Sequence, residues 1–273
     1  VTTVNELCSI IEQTWPAAGA ESWDSIGLVV GHRRNTVTHV RLCVDVTPDV
    51  IADAHAAGAD FLIAHHPLLL RGVTSIDEET YKGNSVALLI RHRIGLLTAH
   101  TNADVVSRGV SDSLARALEL TDVEPIVAHP HSVGHSGIGR VGNLVTPTPL
   151  GVVARRIATI LPATAAGVRV SGEYERLVSR VALCGGAGDS LLSEPQVRTA
   201  DAYITSDLRH HPASEFREWA KSENGPALVD VSHWASEWVW LATAAHDLTE
   251  RMPSVVFSVS DVRTDPWDFL VVQ

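Results

Sequence analysis

Short apolar, β-rich runs alternate with helical patterns along most of this chain, and no other feature constrains the fold as strongly. FLIA, residues 61–64, reads as a buried strand. Ahead of it stand THVRLCVDVT at 38–47, an alternating β-rich run, and PDVIADAHAAGAD, a helix that Pro48 can open because its missing N–H would be unpaired there anyway. After it come a helix around GNSVALLIRHR, the strand IGLLTAH and a helix from Ser111 through DSLARALEL. Near the N-terminus, Thr3-Val4-Asn5-Glu6 has the form of a capping box before an apolar face of Leu7, Ile10 and Ile11, and ESWDSIGLVVG then reads as a loop.

A second series opens with GRVGNLV and the helix LGVVARRIATIL. It runs through strands GVRVSG and VSRVALCG, a helix from Asp189, the strand ADAYITS, the helix ASEFREWAK and the strand PALVDVS. A long helix from His233 and the strand PSVVFSVS close it. The expectation is the α/β class, as two similar α/β domains with largely parallel mixed sheets flanked by helices. A shift to Gly, Ser and His across 127–144 puts the division between a domain of residues 1–128 and one of residues 129–273.

Composition removes several function classes. A formal net charge of -11, with no run of Lys and Arg, argues against direct binding of nucleic acid, which needs clustered cations. Cys8, Cys43 and Cys184 are isolated, without a CxxC pair, and read as buried thiols of a reducing cytosol. No stretch approaches 18 uninterrupted apolar residues, and Asn5 and Glu6 stand where a signal peptide would be basic, so a cytoplasmic protein with no membrane partner is expected.

In open α/β sheets ligands gather beyond the carboxyl ends of strands. Three segments place imidazole or carboxylate there: His65 and His66 after FLIA, His100 and Asp104 after GLLT, and His233 and Glu237 after ALVDVS. Imidazole and carboxylate together suit zinc, and manganese or iron as well. His233 and Glu237, four apart, share a helix face. Taken singly, a strand-end His is more often a hydrogen-bonded structural residue, Glu237 a solvated helix residue, and Asp104 a turn or capping residue. Adjacent side chains of a strand point to opposite faces, so His65 and His66 chelate one ion poorly; two ions would take one imidazole each, with a carboxylate between them.

HHP at 65–67, AHTNAD at 99–104 and SHWASE at 232–237, preceded by ESWDSIGLVVG at 21–31, resemble the dinuclear-metal hexameric proteins known as GTP cyclohydrolase I type 2, also called the Ngg-interacting-factor-three-like family. The likeness runs in order over nearly the whole chain, including GIGRVGNL and VALCGGAG. It implies metal ligands His65, His66, Asp104, His233 and Glu237, with Glu237 as the bridge, two divalent ions per chain, and a toroidal homohexamer. Ser25 stands where the family commonly has Asn, and Ser232 and Trp234 stand where Gly and Tyr are common. The short span between His135 and Gly139 leaves no room for the large inserted domain of some relatives.

Such a site suits hydrolysis, and the resemblance implies opening of the imidazole ring of GTP, hence a small, nucleotide-like substrate. A phosphoesterase acting on another substrate, or a metal-binding hexameric assembly or regulatory protein without turnover, is the alternative. His100 is the nearest candidate for a general base or for a hydrogen bond to a ligand; Asp24 is a candidate for assisting substrate or ligands, against a plain turn residue. CGGAGDS at 184–190 reads equally as an anion-holding turn or as a turn that needs glycine. The His210–His211 pair reads as a pocket wall or rim, and His129, His131 and His135 as solvated loop residues. Trp234, Trp238 and Leu241 recur at the spacing of a core or subunit contact.

Overall fold

The computed structural model describes residues 1–129 and 136–272. The chain divides into two compact units, Val1–Ala103 with Leu241–Thr264, and Asp104–Trp240 with Asp265–Gln273. In the first, helix α1 (Val4–Thr14) precedes strands β1 (Gly27–Val30) and β2 (His39–Cys43), helix α2 (Pro48–Ala56), strand β3 (Phe61–Ala64), helix α3 (Tyr81–His92) and strand β4 (Gly95–Thr98). A single turn, α4 (Thr101–Asp104), leads to the second unit. There follow α5 (Val110–Ala117), β5 (Thr121–Glu124), the two-residue strands β6 (Val127–Ala128) and β7 (Gly137–Ile138), β8 (Arg140–Pro149) and α6 (Leu150–Ile160). Then come β9 (Arg169–Ser171), β10 (Leu177–Ala187), α7 (Pro195–Arg198), β11 (Ala202–Ser206), α8 (His210–Glu223) and β12 (Ala227–Val231). Helix α9 (His233–Arg251) begins in the second unit and ends in the first, where strand β13 (Val256–Val259) follows.

The first sheet has the order β1-β4-β3-β2-β13, parallel except for β1 on β4. The second has the order β5-β8-β10-β11-β12-β9; its strands β10, β11 and β12 are parallel and its remaining pairings antiparallel. Both are mixed α/β sheets, as the alternation of patterns implies. All four residues of β3 and of β4 are buried, as expected for strands covered on both faces. The capping box forms: Thr3 Oγ1 accepts from Glu6 N at 3.3 Å, and Glu6 Oε2 accepts from Thr3 N at 2.7 Å. Pro48 opens α2 behind Thr47, whose hydroxyl accepts from Val50 N at 3.2 Å. The first core joins Val50, Ile51, Leu62, Leu89 and Leu96, and the second joins Val141, Ala182, Val197, Tyr203 and Leu228.

Three local expectations change. The loop ESWDSIGLVVG contains β1, an edge strand whose residues are all half-buried and so lack the clean alternation that marks a strand. The helix expected from Asp189 is a 3₁₀ turn, Asp189–Leu191, and then the four residues of α7, because Pro195 cannot continue a helix that precedes it. The third concerns the division of the chain, which contacts place at 103/104 rather than 128/129. Thr121 and Glu124 pair with Asn143 and Val141 in the second sheet, whereas PSVVFSVS supplies β13, whose Phe257 and Val259 pair with Val40 and Leu42 in the first. Strand pairing overrides the composition shift.

Arg140, 1 % exposed, ties together the start of the second sheet. Its guanidinium donates to Gly137 O and Gly139 O at 2.7 Å, to Val106 O at 2.8 Å and to Asp112 Oδ1 at 3.3 Å. Burial pushes the Asp112 carboxyl up, but hydrogen bonds from Arg116 and Arg108 N and the charge of Arg140 outweigh it and hold the group below its ordinary value. A depressed folded-state pKa stabilises above the unfolded value, and the contribution disappears as pH falls through the folded one. Asp112→Asn is therefore expected to cost about 3 kcal/mol at pH 7 by urea denaturation, with the gap from the unsubstituted protein narrowing below about pH 4.

Candidate metal centre

In the first unit β2, β3 and β4 end in register, Cys43 opposite Ala64 and Ala64 opposite Thr98. His65 and His66 lie just past β3, where their N–H groups donate to Cys43 O at 3.0 Å and Val44 O at 2.8 Å. The chain has left the strand there, so the rings converge rather than face apart, with centroids 5.1 Å apart. His100, two residues past β4, stands 5.2 Å from His65 and 5.5 Å from His66 between centroids. One ring nitrogen from each of the three lies within 4.8 Å of the other two, close enough for ligands of a shared centre.

Each ring is oriented through Nδ1. His65, 1 % exposed, donates from Nδ1 to Ala99 O at 3.0 Å. His66 donates to Asp45 Oδ1 at 2.7 Å, and the other Asp45 oxygen accepts from the Thr264 hydroxyl. His100 donates to Asp24 Oδ1 at 2.9 Å, while Asp24 Oδ2 accepts from Thr101 N at 3.0 Å and from the Thr101 hydroxyl. A proton held at Nδ1 leaves the lone pair at Nε2, the tautomer a metal requires. Burial holds the His100 pKa below the ordinary imidazole value, reinforced by the neighbouring His65 and only partly offset by Asp24. Burial alone would raise Asp24, but hydrogen bonds from Thr101 and His100 and the His100 charge bring it below the usual carboxylate value.

The second unit repeats this construction at β11 and β12. His233 opens α9 and donates from Nδ1 to Asp207 Oδ2 at 2.6 Å; Asp207, directly after β11, has a left-handed backbone with φ 56°. Asp tolerates that region better than most residues, at some cost in strain. One helical turn on, Glu237 is 4 % exposed and brings Oε1 within 3.0 Å of His233 Nε2. Gly186 gives this pair its space: its φ is +70°, and a Cβ there would lie 2.4 Å from Glu237 Oε1 and 3.3 Å from His233 Nε2. Gly186 N donates to Ser236 Oγ at 2.9 Å, which fixes the turn against α9. The CGGAG stretch is thus the turn that needs glycine, inside β10, and no helix of length begins there. Asp104 ends α4, and the Cys184 thiol, raised to about 12 mainly by burial, is pushed further by the charges of Asp104 and Glu237.

A sequence model of the Duf34/NIF3 (NGG1p interacting factor 3) family matches residues 2–266. The chain belongs to this family. A relative from Streptomyces coelicolor named GTP cyclohydrolase 1 type 2 homolog is 44% identical over 269 residues, covering 97% of this chain and 93% of the relative. One of the same name from Mycobacterium tuberculosis is 34% identical and covers 96% of each chain. That alignment spans 370 residues, so the mycobacterial relative carries additional residues this Duf34/NIF3 member lacks. A Bacillus cereus protein related to NIF3 superimposes with a TM-score of 0.88 at 23% identity, covering 99% of this chain and all of that one, a likeness of fold.

Sequence reasoning about this Duf34/NIF3 chain passed over Asp45 and Asp207, although both follow buried strands and so obey the rule that selected His65. It singled out His210 and His211 as a rim, and His210 lines a recess with Arg169, Ser171 and Leu228. Trp234 and Leu241 are buried, in keeping with a core role. His129 is half-buried, while His131 and His135 lie outside the described residues. His246, Asp247 and Glu250 form a further group of possible ligand atoms on α9, exposed apart from a half-buried Asp247.

Gly186→Ala is expected to lower stability by roughly 3 kcal/mol, combining left-handed backbone strain with the clash at Glu237. Gly58→Ala, at φ +72° with nothing within 4 Å of the added Cβ, carries the strain alone and should cost about 1 kcal/mol. Equal losses in urea denaturation would show that the contact with Glu237 contributes nothing.

Proposed function

We propose that the chain holds two divalent ions, zinc first and manganese or iron as alternatives, through His65, His66, Asp104, His233 and Glu237, with Glu237 bridging. The observation that carries this reading is the fixing of Nδ1 in His65, His66 and His233 by Ala99 O, Asp45 and Asp207, which sets the ring tautomer that metal ligation uses. The space that Gly186 keeps open at Glu237 Oε1 and His233 Nε2 supports it independently. When bound, such ions acidify water and polarise the bond it attacks, which makes hydrolysis the natural reaction. His100 receives the proton at Nε2, and Asp24 orients it through Nδ1. The names of the relatives support a nucleotide-like substrate, with opening of the GTP imidazole ring as the first reaction to assay and phosphoester cleavage as the second.

A second reading, assembly without turnover, is favoured by the C-terminal segment. Trp267, Phe269, Leu270, Val271 and Val272 are 63 to 86% exposed, an apolar run of the kind that marks subunit contacts. The homohexamer implied by the family resemblance would place it between copies of the chain in the cytoplasm. No helix among the described residues is long and apolar enough to cross a membrane.

Two measurements test these readings. Metal analysis of protein dialysed against zinc should give roughly two ions per chain. Glu237→Ala should reduce that number, and Asp45→Asn and Asp207→Asn should weaken zinc about 10- to 100-fold in competition with a chromophoric chelator. Retention of wild-type zinc affinity in all three variants would remove the metal assignment. In turnover assays with GTP and a panel of phosphoesters, His100→Ala is expected to keep its metal and lose about 10²- to 10⁴-fold in rate. Loss of metal together with rate would make His100 a ligand instead, and absence of turnover with zinc, manganese and iron would leave the assembly reading.

A further inference from the structure

Beside the imidazoles of the first unit, one indole is left in water. Trp23 is 59 % exposed, and its ring meets that of His100 edge to face, with centroids 5.9 Å apart and planes at 76°. The turn that carries it is tightly tied. Asp24 N donates to Glu21 O at 3.0 Å, which closes a β-turn with Ser22 and Trp23 at its centre. Glu21 N donates to Thr101 Oγ1 at 3.0 Å, Thr101 N donates to Asp24 Oδ2 at 3.0 Å, and His100 Nδ1 donates to Asp24 Oδ1 at 2.9 Å. These contacts bury the Asp24 side chain completely, whereas Trp23, one residue earlier, is turned outward.

A singly exposed aromatic is ordinary on a protein surface. What sets Trp23 apart is its footing and its neighbour. Burying an indole removes roughly 150–250 Å² from water, one of the largest apolar gains open to a fold, and here most of that gain is left unrealised. The side chain has only two torsions and the hydrogen-bonded turn restrains the backbone beneath it, so a ring laid on it meets little ordering cost. Contact with His100 takes one side of the indole; the exposed remainder is a preformed platform. One ring nitrogen of His100 lies within 4.8 Å of those of His65 and His66, which puts the platform at the rim of that cluster. We propose, resting on the reading of His100 as a residue that faces substrate, that Trp23 is the stacking surface for a planar fused heterocycle of purine size. It binds the ring and moves no proton, so its part is in specificity.

Guanosine 5′-monophosphate and ribose 5-phosphate differ by the fused ring alone, and both can be titrated calorimetrically into the full chain dialysed against zinc. The nucleotide should saturate and bind more tightly than the sugar phosphate. Trp23→Leu should weaken the nucleotide about tenfold or more and leave the sugar phosphate unchanged, and Trp23→Phe should restore part of the loss. Both variants should unfold at the temperature of the unsubstituted protein and keep its zinc affinity, as expected at an exposed position; a marked fall in either would make the indole a support for the Asp24–His100 pair, against the proposal. Oxidation by N-bromosuccinimide, followed by peptide mass spectrometry, gives a readout that needs no variant. Trp23 and Trp267 are both exposed, 59 and 65 %, and the nucleotide should slow oxidation of Trp23 while leaving that of Trp267 unchanged. Where GTP is turned over, Trp23→Leu should act on KM far more than on kcat, the mark of lost uniform binding. The platform and the metal centre fail separately. Nucleotide binding that depends on Trp23 in a chain without zinc affinity or turnover keeps the platform and removes the metal centre; zinc binding and turnover with nucleotide affinity indifferent to Trp23→Leu do the reverse. Absence of saturable nucleotide binding, equal affinity for the nucleotide and the sugar phosphate, or a Trp23 that resists oxidation without ligand would also overturn the assignment.

Discussion

Parallel pairing that ends in register sets up everything chemical in this chain. In the first sheet Cys43, Ala64 and Thr98 stand opposite one another at the ends of β2, β3 and β4, so the residues beyond them, Asp45, His65, His66 and His100, emerge from one edge. In the second sheet Ser206 pairs with Ala187 and with Val231, and beyond that line come Asp207 and His233. Strands buried on both faces are mostly apolar, with their polar residues toward the carboxyl ends, so polar chemistry gathers there. Each sheet therefore gathers imidazoles and the carboxylates that orient them without any residue leaving its secondary-structure role.

Orientation separates these histidines from ordinary strand-end polar residues. A buried imidazole needs one hydrogen-bond partner to be tolerated, and an acceptor at Nδ1 both meets that need and fixes the tautomer. Four rings, those of His65, His66, His100 and His233, take this form with four different acceptors. The left-handed backbone of Asp207 and the glycine at 186 are the local costs of the arrangement in the second unit.

Much of this was legible in the residues, because the strongest signals are local. The Thr3–Glu6 capping box, Pro48 at a helix start, and the apolar runs of β3 and β4 each follow from a few neighbouring side chains. The histidine doublet, Asp104, and the His233 and Glu237 pair stood out for the same reason. What escaped notice depends on pairing across the chain. The assignment of β13 to the first sheet is decided by its contact with β2, more than 200 residues away, and no composition shift reports that. Asp45 and Asp207 look like ordinary loop acids until a distant histidine is found at hydrogen-bond distance, and Thr98 reveals its unpaired hydroxyl only when its surroundings are known.

The electrostatics of the second unit give the histidine geometry its sense. Asp104 and Glu237 both push the Cys184 thiol away from ionisation, so their negative charge is felt in a buried region where it is weakly screened. Arg140 is the buried cation in reach of Asp104, but its donors go to three carbonyl oxygens and to Asp112. Its charge moderates the field there. Concentrating carboxylates where water is scarce destabilises a fold unless cationic charge offsets them. An imidazole supplies no such charge while it is neutral. Imidazole and carboxylate groups suit a divalent cation, and binding of such an ion would contribute to folding as well as to chemistry.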